Sequence, residues 1–220
     1  SASPKAKSTT TESTPAYAAT PPLEVLRLIL SQATTGKWAK SQRVMINGVK
    51  RAYLHTKVTR DNYVELPQEY RDEGLDQVVN VEPCLYGTRD AATNWQDTVA
   101  VHLEGLGFTR GISNPCVFAH AERGVLTLVH GDDYASTGEN GQLRWLQKNL
   151  EDKFEIRTTM VGPGQVDVYE ANILNRVIRC TNIGWEIEAD PRHAEIIIEQ
   201  LNLHGLRGLS SPGEKPRKST

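Results

Sequence analysis

The chain has 220 residues, 38% hydrophobic and 24% charged, with 25 Lys and Arg against 27 Asp and Glu and a formal net charge of −2. That describes one ordinary domain, or one domain with tails, long enough to bury a sizeable core. It excludes a strongly basic DNA-coating protein and an acidic disordered tail, though not a basic groove on an acidic body.

Residues 1–19 are mostly Ser, Thr, Ala, Pro and Lys. They carry too little apolar surface to offset ordering entropy and read as a disordered leader without a secretory signal. Thr20-Pro21 is placed to cap a helix bearing Leu23, Leu26, Leu28 and Leu30. Val44-Met45-Ile46 reads as a short strand, and Tyr63-Val64-Glu65-Leu66 as another that stops at Pro67. From Thr93 to Leu106 a helical spacing aligns Trp95, Val99, Leu103 and Leu106, with Gly105 and Gly107 as the stop. Val125 to Val129 is β-prone and runs into Gly131-Asp132, then Tyr134 to Thr137, so a hairpin is predicted with two aspartates at its tip. Asn140 to Lys153 follows as a helix with Leu143, Leu146 and Leu150 inward. Val166-Val168 and Ile173-Ile178 are two further apolar stretches, and a turn at Asn182-Ile183-Gly184 leads into Trp185 to Glu188. Asp190-Pro191 marks a last helix start, carrying Ile196, Ile197 and Leu201 to a stop near Gly205. Residues 208–220 read as a linker tail. The middle of the chain has the order strand, helix, strand, turn, strand, helix, strand. This predicts an α+β fold, a split βαβ antiparallel sheet with helices on one face.

Cys84, Cys116 and Cys180 are odd in number and far apart, which fits a reduced intracellular protein, cytoplasmic or nuclear. No run approaches the roughly 20 apolar residues of a membrane span, so no membrane partner is expected. Cys116 and His120 are spaced like half of a zinc site, but no second pair accompanies them, and the cysteines read as small core residues. There is neither a P-loop nor a Gly-x-Ser-x-Gly elbow. The sharpest candidate is His130-Gly131-Asp132-Asp133. Neighbouring strand residues point to opposite faces, so one carboxylate can enter a cleft while the other sits beside it. Such a tip suits Mg²⁺, which takes one or two carboxylates and completes its shell with water and phosphates. It also reads as an ordinary exposed turn, where Gly and Asp are common. The residues alone leave both readings open.

A family pattern is superimposed on these elements. Leu85 to Trp95 (Leu-Tyr-Gly-Thr-Arg-Asp-Ala-Ala-Thr-Asn-Trp) resembles the copia-type signature L-Y-G-L-K-Q-A-x-R-x-W. Gly107-Phe108, Asn114-Pro115-Cys116-Val117-Phe118, His130-Gly131-Asp132-Asp133 and Lys153-Phe154-Glu155-Ile156 follow at the places of G-F, D-x-C-V-F/Y, Y-V-D-D and K-F-x-M. Val49 to His55 resembles D-V-K-T-A-F-L-N without its leading Asp, Tyr63 to Pro67 resembles Y-M-x-x-P, and Leu209 to Pro212 resembles the closing S-T-P. The chain is similar over residues 20–213 to the reverse transcriptase domain of copia-type long-terminal-repeat retrotransposons.

The resemblance implies a polymerase palm with reduced fingers and a partial thumb or connection: a fingers/palm core over 20–165 and a palm-to-thumb hairpin and helix over 166–207. It implies RNA-directed DNA polymerase activity with two Mg²⁺ ions, Mn²⁺ as the substitute. The expected partners are an RNA or DNA template-primer, deoxynucleoside triphosphates, and the RNase H and integrase domains of a polyprotein, which this chain lacks. Asp132 and Asp133 would be the catalytic metal ligands, with His130 and Gly131 at the primer end. Tyr53 would be the ring that excludes a ribose 2′-hydroxyl, and Arg89 would stand beside the nucleotide in place of the family's Lys. Gly48 stands where the family has a metal-bridging Asp. Losing a unit charge ~4 Å from a metal forfeits on the order of 4 kcal/mol at an effective dielectric near 20, roughly a thousandfold in rate. An impaired or inactive polymerase is therefore expected, with a non-catalytic nucleic-acid-binding remnant of the same fold as the alternative. A third possibility is a fragment whose last helix needs a neighbour to cover Ile196, Ile197 and Ile198.

Overall fold

The computed structural model describes residues 20–35, 41–59, 61, 63–70, 78–88, 90–189 and 192–206. The leader 1–19, the tail 208–220, Arg89 and the Asp190-Pro191 helix start lie outside them. In chain order the elements are α1 (Leu23–Thr34), β1 (Gln42–Val49), a 3₁₀ turn (Ala52–His55), β2 (Tyr63–Glu65), β3 (Val78–Asn80), α2 (Ala91–Gly105), β4 (Thr109–Arg110), β5 (Val117–His120), β6 (Val125–His130), β7 (Asp133–Glu139), α3 (Asn140–Glu151), β8 (Ile156–Val161), β9 (Glu170–Ile173), β10 (Arg176–Thr181), β11 (Gly184–Ala189) and α4 (Arg192–Gln200).

The central sheet has the order β4-β5-β6-β7-β1-β8, every neighbouring pair antiparallel. Four adjacent strands, β6, β7, β1 and β8, combine with α2 and α3 in the split βαβ order β1-α2-β6-β7-α3-β8. β1 is central, with Val44 paired to Thr137 on one side and Val161 on the other. Its side chains alternate between two cores. Met45 and Val49 join Trp95, Val99 and Leu103 of α2 and Leu143, Leu146 and Leu150 of α3. Val44 and Ile46 join Val25, Leu26, Ile29 and Leu30 of α1, with Ile173 and Ile178 beneath them. Both faces are thus covered, which is why β1 reads as a nearly continuous apolar run.

The structure corrects several sequence expectations. Helices lie on both faces, because α1 packs opposite α2 and α3. α1 starts at Leu23 after Pro22 rather than on a Thr20-Pro21 cap, with no side-chain cap bond. Its buried face is Val25, Leu26, Ile29, Leu30 and Ala33, while Leu28 faces solvent. Val166-Val168 is not a strand. Val166 is 85% exposed, and Val168 makes a single bridge to Val161. The segment instead turns around Asp167, whose carboxylate pairs with Arg43 and accepts the Gly164 amide at 2.8 Å. The fourth strand of the split βαβ unit is β8, whose Arg-Thr-Thr sequence hides its β character. The run Ile173-Ile178 is broken by left-handed Leu174 and Asn175 (φ 48° and 56°) into the hairpin β9–β10. β9, β10 and β11 form a separate three-stranded sheet, and β2 and β3 a two-stranded one. No helix among the described residues is long and apolar enough to cross a membrane.

Candidate functional site

The β6–β7 hairpin turns in two residues. His130 pairs with Asp133, and Gly131-Asp132 form the tip. Gly131 has φ 59°. A left-handed first turn residue matches the right-handed twist of the strands, and glycine adopts it at least cost. Asp132 is exposed at the apex and Asp133, the first strand residue, is half-buried. Burial first, and then the neighbouring Asp132 charge, push the Asp133 carboxyl up, while His130 pulls it back. Behind it Tyr134 is fully buried with a hydroxyl that has no partner among the described residues, its phenol raised by burial and by Asp132.

The tip overhangs a cleft of about 330 Å³ lined by Tyr53, Trp95, His130, Gly131, Asp132 and Asp133, with Thr20, Ala92 and Gln96 completing the wall. Tyr53 is carried there by the 3₁₀ turn after β1, which is entered through left-handed Arg51 (φ 53°). Its ring lies 4.5 Å from Tyr86, centroid to centroid. Burial, then the Asp132 charge, raise its phenol. Lys50 and Arg51 both bind Glu155 (2.8 and 2.6 Å), holding this turn to the start of β8. His55 contacts the Lys50 carbonyl at 3.0 Å, a structural role. Five of the residues singled out in the sequence, Tyr53, His130, Gly131, Asp132 and Asp133, therefore share one cleft. Arg89 lies outside the described residues.

Gly48 sits at the end of β1, directly opposite Asp133 on β7 and Arg157 on β8. Cross-strand partners share a face, so a side chain at 48 would stand between that carboxylate and that guanidinium. A Cβ there would meet only the Asp133 Oδ1, at 3.8 Å. Asn47 cannot substitute. It is fully buried on the other face, donating to Thr158 Oγ1 at 2.8 Å. Asp132 and Asp133 are the cleft's carboxylates, and among the described residues no three His, Cys, Asp or Glu side chains converge to hold a metal ion. A bridged two-ion centre needs a further anionic ligand, and the residues present do not fit one. Cys116 and His120 belong to different layers. The thiol packs with α1, and the imidazole packs against Phe108 and Trp145.

The sequence reading took Trp95 for a core residue and missed that it reaches the cleft. The available signal was its N–H, because a buried indole needs an acceptor. Arg157 carried no signal at all, since only strand register brings it beside residue 48.

A family model described as reverse transcriptase (RNA-dependent DNA polymerase) matches residues 12–170. The chain is similar to the retrovirus-related Pol polyprotein from transposon TNT 1-94 of Nicotiana tabacum, 23% identical over 169 residues. It is also similar to that from transposon RE1 of Arabidopsis thaliana, 27% identical over 137 residues. These alignments cover 74% and 60% of this chain but only 12% and 9% of the polyproteins. Apo telomerase from Candida tropicalis, truncated from its C-terminal domain, aligns with a TM-score of 0.48 at 11% identity, over 76% of this chain and 40% of that one.

Proposed function

The chain belongs to the reverse transcriptase (RNA-dependent DNA polymerase) family, and on that premise we propose that it is an RNA-directed DNA polymerase domain whose nucleotidyl transfer is impaired at residue 48. The reaction joins a primer 3′-hydroxyl oxygen to the α-phosphorus of a deoxynucleoside triphosphate and releases pyrophosphate. Negative charge spreads over the transferring group, and catalysis consists largely of positioning and neutralising it. Tyr53 walls the side of the cleft where a sugar would lie, and His130 and Gly131 flank the primer end. Asp132 and Asp133 would be the carboxylates that remain to hold Mg²⁺, one anionic ligand short of a bridged pair. In the same reading 20–165 is the fingers/palm core, 166–207 leads to a thumb, Arg89 approaches the nucleotide, and a template-primer is the macromolecular partner.

The observation that carries the proposal is the bare backbone of Gly48 in register between Asp133 and Arg157. It also favours a second reading, a palm that binds nucleic acid without extending it. Single-nucleotide incorporation on an RNA template separates the two, with Asp132→Ala as the baseline. The polymerase reading predicts slow incorporation above that baseline. Incorporation equal to it, with template-primer binding retained, would establish the binding remnant instead.

A further inference from the structure

Two residues of the family-like motifs, Trp95 and Phe154, are remote in sequence from the hairpin, yet they lead to its tip. Trp95 is 1% exposed, with its ring edge-on to Phe154 at 5.1 Å. Its Nε1–H donates to the Gly131 carbonyl at 2.7 Å. From the other direction the Val49 amide donates to the Asp132 carbonyl at 2.8 Å. Both carbonyls of a two-residue turn are thus held, one by α2 and one by the end of β1. In an ordinary hairpin the tip carbonyls face water and the turn frays first. Fixing both peptide planes here fixes the direction of the Asp132 Cα–Cβ bond. That matters because Asp132 is exposed, and reactive groups tolerate displacements of only about half an ångström.

We propose that Trp95 is a positioning residue: its indole N–H orients the turn peptide that carries Asp132, so that α2 and β1 together aim this carboxylate into the cleft. Phe154 braces the indole in turn. The inference rests on reading Asp132 and Asp133 as the reactive end of the cleft. It assigns the motif tryptophan a task beyond filling the core.

The test is residue-resolved amide hydrogen exchange on the free chain beside Trp95→Phe, which keeps a ring in the core and removes the donor. Exchange of the Val49 amide is expected to rise roughly five- to tenfold, the scale of one hydrogen bond, while Val44, Met45 and Ile46 in the same strand are unchanged. A uniform rise across β1, or none at Val49, overturns the proposal. Should Trp95→Phe fail to fold, the unmodified chain still decides. If they clamp one turn, the Trp95 indole proton and the Val49 amide must show the same opening free energy, each measured against its own intrinsic exchange rate, and differing opening free energies overturn it. No nucleotide or metal enters this measurement, so it stands apart from the incorporation assay that tests the polymerase reading.

Discussion

Gly48 and Asp133 face each other across one strand pair, and their chemistry is set by what each lacks. Residue 48 has room for a side chain, since its Cβ would meet only a carboxylate oxygen, at ordinary contact distance. Asp133 lacks a side chain opposite it on β1 and has only the His130 charge to offset burial and Asp132. Burial, followed by the Asp132 charge, raises its carboxyl above its ordinary value of 3.8. A raised acid binds its proton more tightly in the folded than in the unfolded chain, so folding stability falls as pH rises through the window just above that ordinary value. Asp133→Asn removes the titration. Urea melts across the weakly acidic range are predicted to show a shallower loss of stability with rising pH in that variant than in the unmodified chain. Identical slopes would mean that Asp133 does not carry the shift. Glu155 behaves oppositely. Lys50 and then Arg51 pull it down to about 2, so its contribution persists until strong acid, but it is solvent-exposed and screened by salt.

At the scale of elements, strong periodicity was legible and register was not. α3 was readable because Leu143, Leu146 and Leu150 repeat at helical spacing over a polar background. The tip hairpin was readable because Gly-Asp follows a β-branched and leucine run. β8 was missed because Arg157, Thr158 and Thr159 look like a loop until β1 pairs with them. The Val166-Val168 segment misled because local apolarity lost to a tertiary contact, the Arg43–Asp167 pair, whose side chains are 13% and 3% exposed. Removing one partner of such a pair leaves the other charge uncompensated, at a cost of about 3–5 kcal/mol. Asp167→Ala is therefore predicted to lose that much in denaturant melts, while Val166→Ala stays within about 0.5 kcal/mol. Equal small losses from both would show that the ion pair does not hold the β8–β9 connection.

At the scale of the whole molecule, one sheet carries two cores, and the hairpin tip emerges at the end where β1 runs out into the 3₁₀ turn. The candidate site is assembled from four separate stretches, around residues 48, 53, 95 and 132. All four fall at positions of the family-like motifs, but their convergence and the clamp on the turn depend on strand register and on a single indole. α4 leaves Ile196, Ile197 and Ile198 exposed, and Leu201 follows them. The central claim concerns one position. Mg²⁺-dependent primer extension on an RNA template should be compared for the unmodified chain, Gly48→Asp and Asp132→Ala. The account predicts that Gly48→Asp extends faster than the unmodified chain by up to roughly a thousandfold, the worth of one charge at ~4 Å, with Asp132→Ala at baseline. Extension by the unmodified chain as fast as by Gly48→Asp would contradict it.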